Sequence, residues 1–197
     1  MKLFAYLFRS DILKLSLSLL IVPGLAPACA NRQLSTANLE SSLQPYVDRD
    51  AYLIYAVLLE SAKQSSFIIQ SETDSWSGVT PDNVGIKGDR NFQKVWGVVI
   101  KDFANKYKQS KLLTRDIPIE LPYELVPREK MPATSQLTGG NYSFSSVGFD
   151  PGRTHAIVDM NHLCGVLCGD GGPHFLEKTN GKWREVSVNA EVEVRAS

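Results

Sequence analysis

The sequence has no excess of charge of either sign, because 21 Lys and Arg side chains are balanced by 21 Asp and Glu side chains among its 197 residues. A balanced chain creates no long-range field that would attract nucleic acid or an acidic membrane surface. We therefore expect no nucleic-acid partner. The hydrophobic share of 43% and the charged share of 21% are ordinary for globular proteins and argue against collagen-like, coiled-coil and wholly disordered chains.

The sequence also lacks the common motifs of enzymes. It contains no Gly-x-Ser-x-Gly elbow, no phosphate-binding loop, no dinucleotide fingerprint and no His-Glu-x-x-His zinc motif. Its Asp and Glu residues are scattered, so no carboxylate pair on one element stands out. We nominate no catalytic residue, no metal ligand set and no cofactor from the sequence, and the question of an enzyme stays open at this stage.

No apolar run is long enough to span a bilayer, but the N-terminal segment has the pattern of a secretory signal peptide. Three basic residues precede an apolar run over 15–25, and a stretch of small residues follows it. Cleavage after Ala28 or after Ala30 would each have a small residue at −3 and −1. We interpret residues 1–30 as a signal peptide, which predicts a periplasmic or secreted protein without a transmembrane segment after its removal.

Two other interpretations of this segment stay open. Cys29 could carry a lipid anchor, as in bacterial lipoproteins, although Leu25 stands one position too early for a lipobox. The segment could instead form a buried or membrane-associated helix, because its basic region is long and contains Asp11. Plain export with cleavage is the interpretation that we adopt.

The chain after the signal divides into a polar linker over 31–45 and a single α+β domain over 46–197. Helical spacing predicts a first helix over 50–62, with Asp50 as its N-cap, and a second over 91–109. Apolar residues of the second helix recur at three- and four-residue steps, which predicts a face buried against a sheet. The residues that we expect to be buried on this face are Phe92, Val95, Trp96, Val99 and Phe103.

Alternating apolar residues and turn signals predict a sheet that ends in a C-terminal meander. The prolines of one strand cannot donate to a ladder, so we expect that strand at an edge. Asn180-Gly181 between two apolar runs is a strong hairpin signal. The fold class that we predict is α+β, with two helices packed on one face of an antiparallel sheet and a C-terminal β-meander. The strands are expected at 67–69, 117–125 (the edge strand), 143–149, 154–160, 174–178 and 182–188.

Cys164 and Cys168 are expected to form a disulfide. An extended chain would place their Cα atoms about 13 Å apart, whereas a disulfide needs about 4.4–6.8 Å. Each cysteine is followed by glycine, which permits the turn that a bridge requires, and an oxidising compartment favours the bond. A redox-active dithiol is the alternative.

The three histidines, His155, His162 and His174, all lie near the two cysteines in sequence. Nitrogen, sulfur and oxygen donors so close together could form a zinc site, although the spacing is not that of a zinc finger. Period-two alternation places His155 and Asp159 on one side of their strand, which we expect to face solvent. Metal binding is therefore kept only as an alternative.

Four C-terminal features occur in a characteristic order: Val-Gly-Phe at 147–149, an aliphatic strand at 156–158, Cys-Gly-x-x-Cys-Gly at 164–169 and Gly-Lys-Trp at 181–183. This order resembles that of a set of exported bacterial proteins of unknown function. The resemblance covers 146–183 with specific residues and about 50–185 loosely. It implies export and a paired cysteine loop, and it carries no activity with it.

The sequence leads to two functional hypotheses of different classes. The first is an exported binding or structural module of the bacterial cell envelope. The alternative is an envelope enzyme or metal-binding protein that uses the Cys164/Cys168 loop with the nearby histidines.

A ligand of such a module would bind to long loops at the rim of the sheet, because the core face is occupied by packing. The loop over 74–90 carries Trp76, and the cysteine loop over 161–174 carries His162. We predict that Trp76 and His162 lie on the same rim and contribute to a ligand site. The alternative for Trp76 is that it folds back as a lid over the core.

Overall fold

The computed structural model describes residues 43–132, 140–165 and 168–192. The predicted signal peptide over 1–30, with Cys29, and most of the predicted linker over 31–45 lie outside the described residues. None of the described helices is long and apolar enough to cross a membrane. The helices are α1 (Arg49–Ser61), α2 (Arg90–Lys106) and a short 3-10 helix (Arg128–Lys130). The strands are β1 (Phe67–Gln70), β2 (Ile86–Gly88), β3 (Tyr123–Val126), β4 (Asn141–Phe144), β5 (Gly148–Phe149), β6 (His155–Gly165), β7 (Cys168–Thr179), β8 (Lys182–Glu185) and β9 (Ala190–Val192).

Seven strands form one mixed sheet, with the order β3-β1-β4-β6-β7-β8 and with β5 paired to β6. The C-terminal pairs are antiparallel, which confirms the α+β class and the predicted meander. β1, however, pairs in parallel with both β3 and β4. Parallel neighbours need a long crossover connection, and the segment that contains α2 provides it between β1 and β3. β2 and β9 form a separate antiparallel pair.

Helix α1 begins at Arg49, one residue before the predicted start, and is held in place by charged groups. Its N-cap is Asp48, whereas Asp50 lies in the first turn and accepts hydrogen bonds from Arg153 Nε (2.8 Å), Lys178 Nζ (3.0 Å) and Trp183 Nε1 (3.4 Å). Partial burial raises the pKa of Asp50, but these three donors outweigh it and hold the pKa below its usual value. Asp50 therefore connects α1 to the turn before β6 and to the β7/β8 hairpin.

The two helices cover opposite faces of the sheet. Ala156 and Val158 of β6 pack in the core that contains α1, whereas Ile157 packs in the core that contains α2. Successive strand residues point to opposite faces, so the prediction that both helices pack on one face is wrong. The continuous apolar run at 156–158 is typical of a strand buried on both faces, and it is the signal that the prediction overlooked.

The apolar stripe of α2 is buried with one exception. Val95 is 42% exposed, and Ile100 is buried instead. The four predicted residues that are buried, at 92, 96, 99 and 103, are separated by steps of four, three and four residues, which keeps them on one line along the helix. Val95 lies at the edge of that line. The predicted residues that are buried are Phe92, Trp96, Val99 and Phe103.

The edge position of the predicted strand and the final hairpin agree with the predictions, although the strand is β3 over Tyr123–Val126 and not 117–125. β3 lies at the end of the sheet order, and it begins only after Pro118 and Pro122. Thr179 pairs with Lys182 across a two-residue turn in which both central residues have positive φ. Asn-Gly is the dipeptide that such a turn favours.

Candidate functional site

The sheet face on which α2 lies, the α2 face, changes character where the helix ends. Under α2 this face carries Ile157 and Phe175, both buried against the helix. The next residues of β6 on the same face are Asp159 and Asn161, and both are half-buried. The half of the face beyond the helix is therefore polar. We call this region the polar patch, and it comprises Asp74, Tyr107, Arg128, Ser143, Asp159 and Asn161.

Asp74 is the hub of the polar patch. Its Oδ1 accepts hydrogen bonds from Arg128 Nη2 (2.9 Å) and Gln70 Nε2 (3.1 Å). Its Oδ2 accepts from Ser143 Oγ and from Asn161 Nδ2, the latter at 3.3 Å. The backbone N–H of Asp74 donates to Phe144 O at 2.7 Å, which fixes the segment after β1 against β4. One carboxylate thus joins β1, β4, β6 and the 3-10 helix.

The pKa of Asp159 is raised above the usual value of an aspartate. Burial raises the pKa of Asp159, and the nearby charge of Asp74 raises it further, while hydrogen bonds from Tyr107 and Asn161 act in the opposite direction. Tyr107 donates its hydroxyl proton to Asp159 Oδ2 at 3.2 Å, and burial raises the pKa of Tyr107 as well. Carboxyl groups with perturbed pKa values are concentrated at functional sites, which makes Asp159 a candidate ligand-contacting residue.

Buried polar side chains surround the patch. Burying such groups is unfavourable unless they are hydrogen-bonded. Glu72 meets this condition by accepting from Arg128 N at 3.0 Å. Asn141 donates to Pro132 O, but its Oδ1 is buried and accepts no hydrogen bond from the described part of the chain. The buried polar residues are Gln70, Ser71, Glu72, Thr73, Asn141, Ser145 and Ser146.

Trp76 is held next to the polar patch. It follows Asp74 by two residues, and its backbone N–H donates to Tyr107 O at 2.7 Å. The residue keeps 36% of its surface exposed. An aromatic side chain with accessible surface therefore lies at the end of α2, where the polar half of the face begins.

His162 is packed on the other face of β6. Its ring stacks on Tyr142, with 4.5 Å between the ring centroids, and its Nδ1 lies 3.0 Å from Asp170 Oδ1. Its Nε2 is buried against Gly140, where a Cβ would lie only 2.1 Å away. Neighbouring strand residues point to opposite faces, so His162 points away from the contact between Asn161 and Asp74. That His162 shares a ligand rim with Trp76 stays a prediction.

The cysteines lie at the end of the long β6/β7 hairpin. A disulfide joins Cys164 and Cys168, whose Cα atoms are 5.1 Å apart. The strands continue up to the bridge, so the turn is much shorter than the predicted span between Met160 and His174. Sulfurs joined in a disulfide offer no thiolate to a metal or a substrate.

The histidines are distributed along the hairpin and do not converge. His155 and His162 are seven residues apart on one strand, a separation of about 23 Å. They therefore cannot ligate the same ion. The expectation that His155 and Asp159 face solvent is wrong, because His155 contacts the ring of Trp96 on α2 with 5.1 Å between centroids. Asp159 lies beyond the end of α2, where it is half-buried and hydrogen-bonded to the Tyr107 hydroxyl.

No family model, curated protein or solved structure matches the chain. The candidate site therefore depends on the geometry of the described residues. Sequence reasoning missed the polar patch as a whole, although one signal for it was present. Both β4 with the residue after it and β6 carry polar residues at alternate positions, Ser143 and Ser145 in one case and Asp159 and Asn161 in the other. Alternation on two paired strands indicates a polar sheet face.

Proposed function

We propose that the protein is an exported binding module of the bacterial cell envelope that holds a polar ligand on the polar patch. The observation that carries this proposal is the change from apolar to polar side chains along one sheet face at the end of α2. The patch remains accessible, since the side chains of Arg128 and Asp74 keep 55% and 20% of their surface exposed. Convergent polar groups of this kind are what orient a bound ligand.

A purely structural role explains the patch less well. Replacing buried charged and polar groups by well-packed apolar ones is often neutral or stabilising. Asp159 adds to this argument because its raised pKa means that the folded state disfavours its charged form. Residues that lower stability in this way are commonly retained for function.

Export is supported by the signal-like segment over 1–30 and by the Cys164–Cys168 disulfide, a bond typical of oxidising compartments. Intact-mass spectrometry of the protein recovered from the periplasm or medium tests it. We expect a chain that begins at Cys29 or Asn31 and is two hydrogens lighter than its reduced form. A lipid-modified Cys29 would favour the lipoprotein alternative, and an uncleaved chain in the cytoplasm would contradict export.

Binding is tested by co-sedimentation of the purified exported protein with an isolated, washed cell-envelope fraction. The test variant combines Asp74→Asn with Asn161→Ala, which removes the hub and one of its donors. Val95→Ala is the matched control, because Val95 is exposed on α2 and lies outside the patch. We expect the double variant to lose sedimentation while the control retains it, with circular dichroism confirming that both are folded. Equal sedimentation of all three proteins would contradict the proposal.

A further inference from the structure

We infer that the polar patch together with Trp76 binds a neutral carbohydrate chain. This inference rests on the proposed function and names the ligand class of the same site. It follows from three properties of the region: the mixture of donors and acceptors, the balance of charge and the nearby Trp76.

The patch presents donors and acceptors side by side. The Asp74 carboxylate is already filled by four donors, so the groups left for a ligand are the remaining guanidinium N–H groups of Arg128 and the amide oxygen of Asn161. Ser143 and Tyr107 donate their hydroxyl protons to Asp74 and Asp159, and each hydroxyl oxygen can still accept a hydrogen bond. A sugar hydroxyl also donates and accepts at once, so a row of such hydroxyls can satisfy this mixture.

The charge of the patch argues against ionic ligands. Arg128 is already paired with Asp74 at 2.9 Å, so no free cationic group of the patch is directed at a phosphate or sulfate. Conversely, four donors converge on the Asp74 carboxylate, which leaves it poorly suited to a divalent cation. The group chemistry therefore favours an uncharged polar ligand.

Trp76 provides an apolar surface beside these polar groups. The carbon-bound hydrogens of a sugar ring form an apolar face, which can pack on an aromatic ring while the hydroxyls reach polar groups at its edge. Trp76 is 36% exposed and is anchored at the backbone to Tyr107, whose hydroxyl contacts Asp159. The backbone of Trp76 and the patch thus lie at one end of α2, within the span of a chain of several sugar units.

The test is titration of the isotope-labelled exported protein with cellotetraose and with chitotetraose, followed by amide NMR and tryptophan fluorescence. We expect saturable binding of at least one of these neutral tetrasaccharides, with dissociation constants in the micromolar to millimolar range. Shifted resonances should cluster at Trp76, Ser143 and Asn161. Trp76→Ala and Asn161→Ala should each weaken binding at least tenfold, while Val95→Ala should stay within twofold of the wild type.

Two further measurements keep the inference falsifiable. Trp76→Phe retains an aromatic ring, so it should bind more tightly than Trp76→Ala and separates loss of stacking from loss of folding. Tetragalacturonate is the anionic comparison, and tighter binding of this probe would overturn the neutral class. Failure of both neutral sugars to shift any patch resonance at millimolar concentration would also overturn it. If envelope co-sedimentation still depends on Asp74 in that case, the proposed function survives without this ligand class.

Discussion

The two halves of the α2 face differ in what covers them and in what their side chains do. Under the helix, Trp96 and Phe175 meet with 5.1 Å between ring centroids, and Ile157 is fully buried beside them. Beyond the helix, β6, the strand of Ile157, carries Asp159 and Asn161, which contact polar side chains instead. The boundary coincides with the C-terminal end of α2, so helix length decides where packing stops. One half stabilises the fold, and the other is the half that we propose as the ligand site.

Trp96→Ala should have the largest effect on stability and tests the apolar half. Trp96 is 4% exposed and contacts Phe92, His155 and Phe175. Removing a buried indole should lower the free energy of unfolding by about 3–5 kcal/mol, measured by urea denaturation. Val95→Ala on the same helix should change it by about 0.5 kcal/mol or less. Equal effects of the two variants would mean that this half of the face is not a core.

Gly148→Ala should also destabilise the apolar half, because α2 approaches β5 closely there. A Cβ at Gly148 would lie 2.4–2.5 Å from the Cβ, Cα and backbone N of Phe103. Two of these are backbone atoms, so the helix itself would have to move. We expect a loss of about 1–3 kcal/mol in the free energy of unfolding. An unchanged urea midpoint would show that α2 is loosely seated on the sheet.

Elements formed by local sequence could be predicted, whereas the candidate site could not. Helical spacing located α1 and α2, and Asn180-Gly181 located the last hairpin, because each depends on residues close in the chain. The Asp74 hub depends on partners that are 54, 69 and 87 residues away, at Arg128, Ser143 and Asn161. Such contacts can be predicted only once the parallel pairing of β1 is known.

The face of each helix was only partly predictable, because the apolar run at 156–158 is a signal that does not decide the matter alone. A short apolar run can occur in a strand buried on both sides and in a strand buried on one side. The connection between β1 and β3, which contains α2, decides which of the two is present. The stripe of α2 correctly indicated burial of four residues, but its edge at Val95 depends on how the helix is rotated on the sheet. Periodicity gives the direction of a helix face and leaves its width open.

Gly171→Ala is the counterpart of Gly148→Ala in the polar half. A Cβ at Gly171 would lie 2.2 Å from Asn161 Oδ1, the end of a side chain that can rotate away. The free energy of unfolding should therefore fall by only about 1 kcal/mol. Displacing Asn161 should nevertheless disturb its contact with Asp74 and weaken envelope co-sedimentation. A stability loss equal to that of Gly148→Ala would mean that the two halves are equally rigid.

Asp159 allows a test of the claim that the polar half lowers stability. Because the pKa of Asp159 is raised in the folded protein, the folded state holds the proton more tightly than the unfolded chain does. The resulting loss of stability is absent below the unfolded pKa of about 3.9 and grows as the pH rises through the folded pKa. Asp50 has a lowered pKa, so its contribution has the opposite sign.

Asp159→Asn should accordingly give a small gain of about 0.5 kcal/mol in the free energy of unfolding at neutral pH, since the amide oxygen can still accept from Tyr107. The gain should disappear below about pH 4 because the wild-type carboxyl is then protonated in both states. Asp50→Asn should instead destabilise the protein at neutral pH, and its difference from the wild type should close in acid as Asp50 itself becomes protonated. Urea titrations at several pH values measure both variants. Destabilisation by Asp159→Asn at neutral pH would show that the charged carboxylate supports the fold and that the polar half is structural.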